Sequence, residues 1–213
     1  IRQAELGVPA GGQLAAAKLL SRMVQKCQLE RIERGLYYKP KKTPFGRSHP
    51  GAREVLAKLL EKNGGYITGT AAYNRLGLTS QNPGVIVIAG RGYRSPRSVA
   101  GVTIRCRRTK VTPTPQNVPL LEILDALRAA KRIPDATVDD VVRGVIAAVG
   151  TLTPSRRIQL VECALSYNPS VRALVCAIMR SRWPKVPVDA LAASLNPLTT
   201  YTIGISAALL PTM

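Results

Sequence analysis

Groups suited to metal or redox chemistry are scarce in this sequence of 213 residues. It contains one histidine, His49, and four cysteines that form no CxxC pair. Such dispersed ligands argue against a zinc centre, and the mostly apolar or basic neighbours indicate reduced thiols in small core positions instead of a disulfide framework. Neither a metal nor a cofactor is therefore expected. The cysteines are Cys27, Cys106, Cys163 and Cys176.

Catalytic motifs are also missing. The sequence has no GxGxxG or Walker loop and no nucleophile elbow. Asp139 and Asp140 begin a predicted helix, where they suit the helix dipole. Glu122 and Asp125 lie one turn apart among Leu and Ile, and we predict that they lie on the exposed face of a helix. No catalytic residue is assigned, and we do not expect an enzyme.

An apolar run long enough to span a membrane is not found either. Residues 190–213 carry no charge, but Asn196, Pro197 and Pro211 interrupt them. A transmembrane helix needs about 20 mainly apolar residues. No secretory signal is visible. We therefore predict a cytoplasmic protein without a membrane-spanning segment.

Acidic residues are scarce, since 12 Asp and Glu oppose 31 Lys and Arg and the net charge is +19. No acidic residue occurs between Glu61 and Glu122. Such an excess repels itself in the folded protein, so an anionic partner is expected, and nucleic acid is the commonest one. The alternative is a basic surface kept for solubility or for acidic membrane lipid.

The elements that are present begin with a helix and hairpin pattern. Residues 1–8 predict a short helix, and residues 14–26 predict an amphipathic helix. QLERI and LYYKP then predict two short strands, joined through Gly35, which tolerates positive φ. Helix, turn, amphipathic helix and hairpin are the order of a winged helix-turn-helix.

A change in composition divides the chain into two predicted domains. Proline, glycine and lysine dominate residues 43–51, which we interpret as a linker between a winged helix-turn-helix at 1–42 and a second domain at 52–213. The predicted class is α+β, with a small sheet and a helical C-terminal part in a mixed α/β second domain. Its strands are predicted at 85–89 and 99–108. Its helices are predicted at 52–65, 69–76, 119–131, 137–148, 154–166 and 170–182, with a mostly irregular segment after Trp183.

The amphipathic helix at 14–26 has two distinct faces. An apolar stripe recurs at spacings of three and four: Ala16, Leu20, Met23, Val24 and Cys27. In a major groove, arginine and lysine suit guanine edges and glutamine suits adenine. The opposite face offers such groups: Lys18, Ser21, Arg22 and Gln25, flanked by Lys26. The hairpin and its end add charges suited to phosphates: Arg31, Arg34, Lys39, Lys41 and Lys42. A solvated helix beside a structural hairpin, or a protein-binding module, is the alternative.

Residues 91–110 form a second basic region, with seven cationic residues and no acid. A strand of this charge could bind phosphates, RNA or an acidic protein, and the competing function is therefore an RNA-binding or protein-interaction module that uses this strand. A solvated strand edge is the structural alternative. The seven are Arg91, Arg94, Arg97, Arg105, Arg107, Arg108 and Lys110. Tyr37, Tyr38, Tyr66 and Tyr73 could stack on bases, but we predict that they pack in the wing or core.

Longer stretches resemble a known family. LSRMVQKCQLERIERGLYYKP resembles the signature of AbiEi-like antitoxins, which are transcriptional regulators of bacterial type IV toxin–antitoxin systems. GYITGTAAYNRLGLTSQNPGVIVIAG, the IRCRRT strand and LNPLTTYTIGISAALLPT are also similar to stretches of these proteins. These stretches follow one another in the family's order, and the resemblance covers nearly the whole chain.

The resemblance implies a winged helix that binds promoter DNA, often at inverted repeats, and represses its own operon. It also implies a C-terminal domain that antagonises a nucleotidyltransferase-like toxin without a stable complex, and a symmetric operator favours two copies on DNA. The family's first helix would precede Ile1. This chain has QLAAA where many members have a basic or polar run, so base reading is expected to depend on fewer residues. The residues that match the family's reading helix and wing are Lys18, Ser21, Arg22, Gln25, Arg31 and Arg34.

Overall fold

The chain folds as a mixed α+β protein, as predicted. Residues 1–62 together with 97–103 form one compact unit, and residues 63–96 together with 104–213 form a second. The predicted helix at 1–8 lies outside the described residues. The structure is a computed structural model, and it describes residues 12–33, 35–44, 46–47, 51–90, 97–99, 102–206 and 209–210.

The first unit contains the predicted amphipathic helix and hairpin. Helix α1 spans Gln13–Gln25, and strands β1 (Glu30–Glu33) and β2 (Leu36–Tyr38) pair antiparallel. Gly35 stands between the strands at φ 79°. Because glycine has no Cβ, it adopts this positive φ at low cost, and the chain can reverse within a short turn.

The segment predicted as a linker contains a second hairpin. Strand β3 (Lys42–Thr43) pairs antiparallel with strand β4 (Gly46–Arg47). Helix α2 (Ala52–Asn63) follows, and the division between the units falls after Lys62, not at residues 43–51. Proline and glycine disfavour long helices and strands, so the composition of this segment predicted no regular structure. A hairpin whose strands have two residues each needs only a turn, which these residues favour.

The apolar stripe of α1 packs as predicted over most of its length. Leu20 is buried together with Leu29 and Tyr37, and Met23 and Val24 pack against these three residues. The helix spacing of three and four places these α1 side chains on one face. This small core fixes which side of α1 remains outside.

Cys27, the last member of the predicted stripe, is exposed instead of buried. It follows α1 with φ 54°. Its backbone N–H donates to the carbonyl of Val24, and the N–H of Gln28 donates to the carbonyl of Met23, both at 2.9 Å. This pair of hydrogen bonds ends a helix through one left-handed residue, so backbone geometry determines the position of Cys27.

Replacing Cys27 by glycine is expected to stabilise the first unit by about 1 kcal/mol, because glycine has no Cβ penalty at this φ. Urea unfolding followed by far-UV circular dichroism measures the change. Cys27→Ala keeps the Cβ and is the control, with an expected change below about 0.5 kcal/mol. Equal unfolding midpoints for the two variants would contradict the assignment of strain to this residue.

The largest sheet has four strands in the order β5-β6-β8-β7. They are β5 (Gly65–Thr68), β6 (Val85–Gly90), β7 (Arg97–Val99) and β8 (Val102–Arg108), and helix α3 (Thr70–Arg75) connects β5 to β6. The strands predicted at 85–89 and 99–108 are thus confirmed, although the second begins three residues later. In this order β8 lies between β6 and the three-residue strand β7.

The register of β5 on β6 sets up one polar face. Tyr66 lies opposite Ala89, and Thr68 lies opposite Val87, in antiparallel pairing. Side chains two residues apart on a strand share a face of the sheet. The hydroxyl groups of Tyr66 and Thr68 therefore point to the same side, and both residues are buried.

Helices form most of the rest of the second unit, at the predicted places. Seven residues of α4 are buried, so this helix lies at the centre of the unit. A short helix, α8, lies in the segment predicted as irregular. The helices are α4 (Val118–Ala129), α5 (Val138–Gly150), α6 (Pro154–Ala164), α7 (Pro169–Arg182) and α8 (Asp189–Ala193).

The acidic pair at the start of α5 acts through direct hydrogen bonds. Thr137 Oγ1 accepts from the backbone N–H of Asp140 at 3.2 Å, and the Asp140 carboxylate accepts from the N–H of Thr137 at 3.0 Å. The Asp140 carboxylate also accepts from the Thr137 hydroxyl at 2.5 Å, and this bond, together with that from the Thr137 N–H, holds the pKa of Asp140 below its usual range. Asp139 accepts from the N–H of Ser206, which likewise lowers the pKa of its carboxyl. Both acids lie in the first turn, as predicted.

The four cysteines are reduced thiols. None of the four cysteines forms a disulfide; Cys176 is buried, and Cys106 and Cys163 are half-buried. Burial raises the pKa of the Cys163 and Cys176 thiols.

Within the ranges given above, no cluster of three His, Cys, Asp or Glu residues is placed to hold a metal ion. No helix in those ranges combines the length and the apolarity required to cross a membrane.

Candidate nucleic-acid interface

The outer face of α1 holds the predicted base-reading side chains. Ala16 and Leu20 are 8% and 3% exposed, so the opposite face is fixed in the core. The helix sequence QLAAAKLLSRMVQ contains no acidic residue. The outer face therefore offers cations, an amide and a hydroxyl without an intervening carboxylate from α1. All of the predicted members are exposed: Lys18, Ser21, Arg22, Gln25 and Lys26.

The first turn of α1 adds two residues that sequence reasoning missed. Gln13 is exposed, and Leu14 is 78% exposed. Of the three alanines that follow, Ala15 is exposed, Ala16 is buried and Ala17 is half-buried. A glutamine amide suits adenine, and an apolar side chain suits a thymine methyl group. The position of Gln13 and Leu14 at the helix start was the signal that could have identified them.

A groove of about 400 Å³ lies between α1 and the β1–β2 hairpin. It brings Ser21 of α1 and Arg31 of β1 to one surface, a proximity that the spacing along the chain could not give. Gln13 and Leu14 line the same groove. Its lining residues are Gln13, Leu14, Ala17, Ser21, Arg31, Gly35 and Tyr37.

Two paired side chains of the hairpin differ in exposure. Arg31 is exposed and pairs across the hairpin with Tyr37, which is 6% exposed and belongs to the core with Leu20 and Leu29. Tyr38 is half-buried. Tyr37 therefore packs in the core, as predicted, and the hairpin presents Arg31 outward.

The remaining predicted phosphate contacts follow the hairpin. Lys39 and Lys41 are exposed. Lys42 lies in β3, and Arg34 lies outside the described residues. The exposed lysines continue the positive charge of Arg31 along the chain, which is the arrangement that a phosphate backbone requires.

The second basic region does not act as one surface. Arg105, Arg108 and Lys110 are exposed, whereas Arg107 is half-buried and contacts Asp125. Arg97 lies in β7. Arg91 and Arg94 lie outside the described residues. Arg107 is thus held inside the second unit, whereas Arg105 and Arg108 on the same strand are exposed.

Asp125 is buried, contrary to the prediction that Glu122 and Asp125 lie on an exposed helix face. Its side chain is 1% exposed, and that of Glu122 is 14% exposed and pairs with Arg75. Burial raises the pKa of Glu122 while Arg75 lowers it, and the net shift is upward. The prediction failed because α4 is apolar on most sides, so its sequence defines no single exposed face.

One oxygen of Asp125 joins the sheet to α4. Oδ2 accepts from the hydroxyls of Tyr66 and Thr68, both at 2.7 Å, and it forms an ion pair with Arg107. The Tyr73 hydroxyl donates to the backbone carbonyl of Asp125 at 3.2 Å. Tyr66 and Tyr73 therefore pack in the core, as predicted, and their hydroxyl groups have buried partners.

The other oxygen faces the segment between α6 and α7, which contains Tyr167. Oδ1 accepts from the Tyr167 hydroxyl at 3.0 Å and lies 3.3 Å from Arg128 Nη2. The Arg128 guanidinium also lies over the Tyr167 ring, 5.6 Å from its centre, which is a cation–π contact. We call these residues the Asp125 cluster: Tyr66, Thr68, Arg107, Asp125, Arg128 and Tyr167.

The electrostatics of the Asp125 cluster keep each donor in its donating form. Burial, followed by the charge of Asp125, raises the pKa of Tyr66 and of Tyr167, so both hydroxyls stay protonated. Burial alone would lower the pKa of Arg107, but Asp125 outweighs it and the net shift is upward. The carboxylate is used to hold hydroxyls and guanidinium groups in place, which is a structural task.

Comparison with solved structures finds a similar fold in the crystal structure of the RV2827C protein from Mycobacterium tuberculosis. The TM-score is 0.51 at 15% sequence identity, and the alignment covers 97% of this chain and 81% of that chain. At this identity the likeness concerns the fold alone.

Sequence comparison gives one family and no curated relative. A comparison with curated proteins finds no match. The model of DUF6088, a family of unknown function, matches residues 8–156, which include α1, the β1–β2 hairpin and Asp125. Because the match spans well over half of the 213 residues, the chain belongs to the DUF6088 family.

Proposed function

We propose that this protein is a transcriptional regulator that binds double-stranded DNA through α1 and the β1–β2 hairpin. The observation that supports this most is the acid-free outer face of α1 beside a groove that also contains Arg31. A helix of this kind fits the major groove, where Arg22 and Gln25 would meet base edges. Arg31, Lys39 and Lys41 would hold phosphates and set the register.

The biological role that we propose is repression of its own operon and antitoxin activity in a type IV system. The resemblance of LSRMVQKCQLERIERGLYYKP and the later stretches to AbiEi-like antitoxins supports this role. The promoter would be an inverted repeat bound by two copies, and the antagonised toxin would be nucleotidyltransferase-like, without a stable complex. Such a regulator acts in the cytoplasm and needs no catalytic residue.

Arg22→Ala is expected to weaken binding to the protein's own promoter by about 1–3 kcal/mol and to reduce its preference over a scrambled duplex. Fluorescence anisotropy with two labelled duplexes of equal length, one taken from upstream of the gene, measures both quantities. With about five phosphate contacts, the slope of log K against log salt should be near −4 to −5.

Arg180→Ala is the matched control, because it removes the same charge from an exposed position on α7. Its promoter affinity should change by less than about twofold, since Arg180 would make no phosphate contact. If Arg22→Ala and Lys18→Ala both leave affinity and selectivity unchanged, α1 is not the reading helix.

The competing module, which would use residues 91–110, makes the converse prediction. Charge reversal at Arg105 and Arg108, both exposed on β8, would then abolish function while the α1 variants stay active. Arg107 is excluded from that test because its guanidinium pairs with buried Asp125. Its reversal would unfold the second unit for a reason unrelated to binding.

A further inference from the structure

The second unit contains an open cavity of about 410 Å³ with a strongly positive lining. The end of β8, helix α4 and the start of α7 surround it. Its volume falls within the usual range of small-molecule sites. The charged lining residues are Arg107, Arg108, Lys110, Arg128, Arg172 and Asp125.

Asp125 is the single acid among the residues that line the cavity, and both of its oxygens already have partners within the protein. Oδ2 accepts from Tyr66 and Thr68 and pairs with Arg107, and Oδ1 accepts from Tyr167. Five cations therefore face one carboxylate. An anion in the cavity would neutralise part of this positive charge and would not need to replace Asp125 as the partner of any of these cations.

Two of the arginines have donors that the protein leaves unused. In the part of the chain that the structure describes, Arg128 Nη2 and Arg172 Nε are buried and have no hydrogen-bond acceptor. Arg128 Nη2 lies 3.3 Å from Asp125 Oδ1 as an ion pair, without hydrogen-bond geometry. A buried donor without an acceptor is unfavourable, and both arginines belong to the lining of the cavity.

The cationic groups are held in position before any ligand arrives. Arg107 is fixed by Asp125, Arg128 lies over the Tyr167 ring, and Arg172 Nη1 donates to the Ser194 carbonyl at 3.0 Å. Guanidinium groups match the geometry of phosphate oxygens and bind them through paired N–H donors. Arg108 and Lys110 add exposed charges at the same cavity.

We infer that this cavity binds the phosphate groups of a small phosphorylated ligand of nucleotide size. The end of β8, α4 and the start of α7 all contribute to the site, and its volume of about 410 Å³ suits a compact ligand. The inference goes beyond DNA binding by α1 and does not depend on it, because every residue involved belongs to the second unit. The ligand class is defined by two or more adjacent phosphates.

Isothermal titration calorimetry with pyrophosphate and with ATP, in the absence of DNA and at physiological salt, tests this site. The native chain is expected to bind both saturably. The double variant Arg108→Ala/Lys110→Ala should weaken binding at least tenfold, because it removes two charges at the cavity. These two residues lie outside the Asp125 cluster and are exposed, so the fold is expected to remain, and circular dichroism checks it.

The double variant Arg105→Ala/Arg180→Ala is the matched control, since it removes two exposed charges that do not line the cavity. Its affinity should stay within twofold of the native value. Equal weakening in both double variants would overturn the inference in favour of diffuse charge attraction. Absence of saturable binding, or displacement of ATP at lower concentration by a single-stranded RNA without terminal phosphate groups, would overturn it as well.

Discussion

Asp125→Asn is expected to lower the free energy of unfolding of the second unit by about 3–5 kcal/mol, as removal of one partner from a buried ion pair does. The carboxylate is 1% exposed and meets only donors: three hydroxyls and the guanidinium groups of Arg107 and Arg128. An asparagine amide would place a donor against donors and would leave Arg107 without its counter-charge. The side-chain volume hardly changes, so lost packing would not account for the effect.

Glu122→Gln provides the control on the same helix, one turn earlier. Its partner Arg75 is 49% exposed, so solvent screens the pair and the expected loss is below about 1 kcal/mol. The single tryptophan, Trp183, reports on the second unit through fluorescence, since its ring packs against the Arg157 guanidinium at 4.8 Å. Urea unfolding of both variants measures the difference. Similar losses for the two would mean that the cluster does not anchor α4.

Gly69→Ala is expected to destabilise the second unit by about 3 kcal/mol, from backbone strain together with overpacking. Gly69 precedes α3 with φ 73° and ψ −155°, a region that only glycine occupies readily. A Cβ there would lie 3.0 Å from Val87 Cγ2 on β6. Relief of the contact would shift Thr68, the neighbour whose hydroxyl donates to Asp125.

Gly77→Ala separates strain from crowding. Gly77 also has positive φ, at 70°, but a Cβ at this position would meet nothing within 4 Å. Its expected loss is about 1 kcal/mol, from the left-handed backbone alone. The same urea unfolding of Trp183 fluorescence compares the two variants. If Gly77→Ala were as unstable as Gly69→Ala, contact with Val87 would contribute nothing.

The elements of this fold follow from local patterns, whereas its polar interior does not. Spacing of three and four along α1 predicted that Leu20 would be buried, and helices were also predicted at the places of α4 to α7. The contacts of Asp125 could not be predicted because its partners lie far away along the chain: Tyr66 is 59 residues before it, and Tyr167 is 42 residues after it. No local pattern reports such a contact. The surrounding sequence LLEILDALRA is apolar on nearly every side, which indicates a buried helix and could have suggested that Asp125 is buried.

The two candidate sites differ in the same way. The outer face of α1 could be predicted because one helix determines it, and its predicted members are exposed as expected: Lys18, Ser21, Arg22, Gln25 and Lys26. The phosphate cavity could not, since Arg128 and Arg172 come from separate helices and each looks like an ordinary solvated arginine. For Cys27 the local pattern itself gave the wrong result. Its spacing matched the apolar stripe, but the helix ends at this point through a left-handed residue, and Cys27 is exposed.

The Asp125 cluster also sets an order of events during synthesis. Tyr66 and Thr68 leave the ribosome before Asp125, and Tyr167 follows later still. At about 5–20 residues per second, the interval from the first hydroxyl to the last is on the order of 5–20 s. Until Asp125 emerges, the inward hydroxyls of β5 have no acceptor, and until Tyr167 emerges, Asp125 lacks one of its donors. The nascent second unit should therefore reach its final packing late, after α6 has emerged.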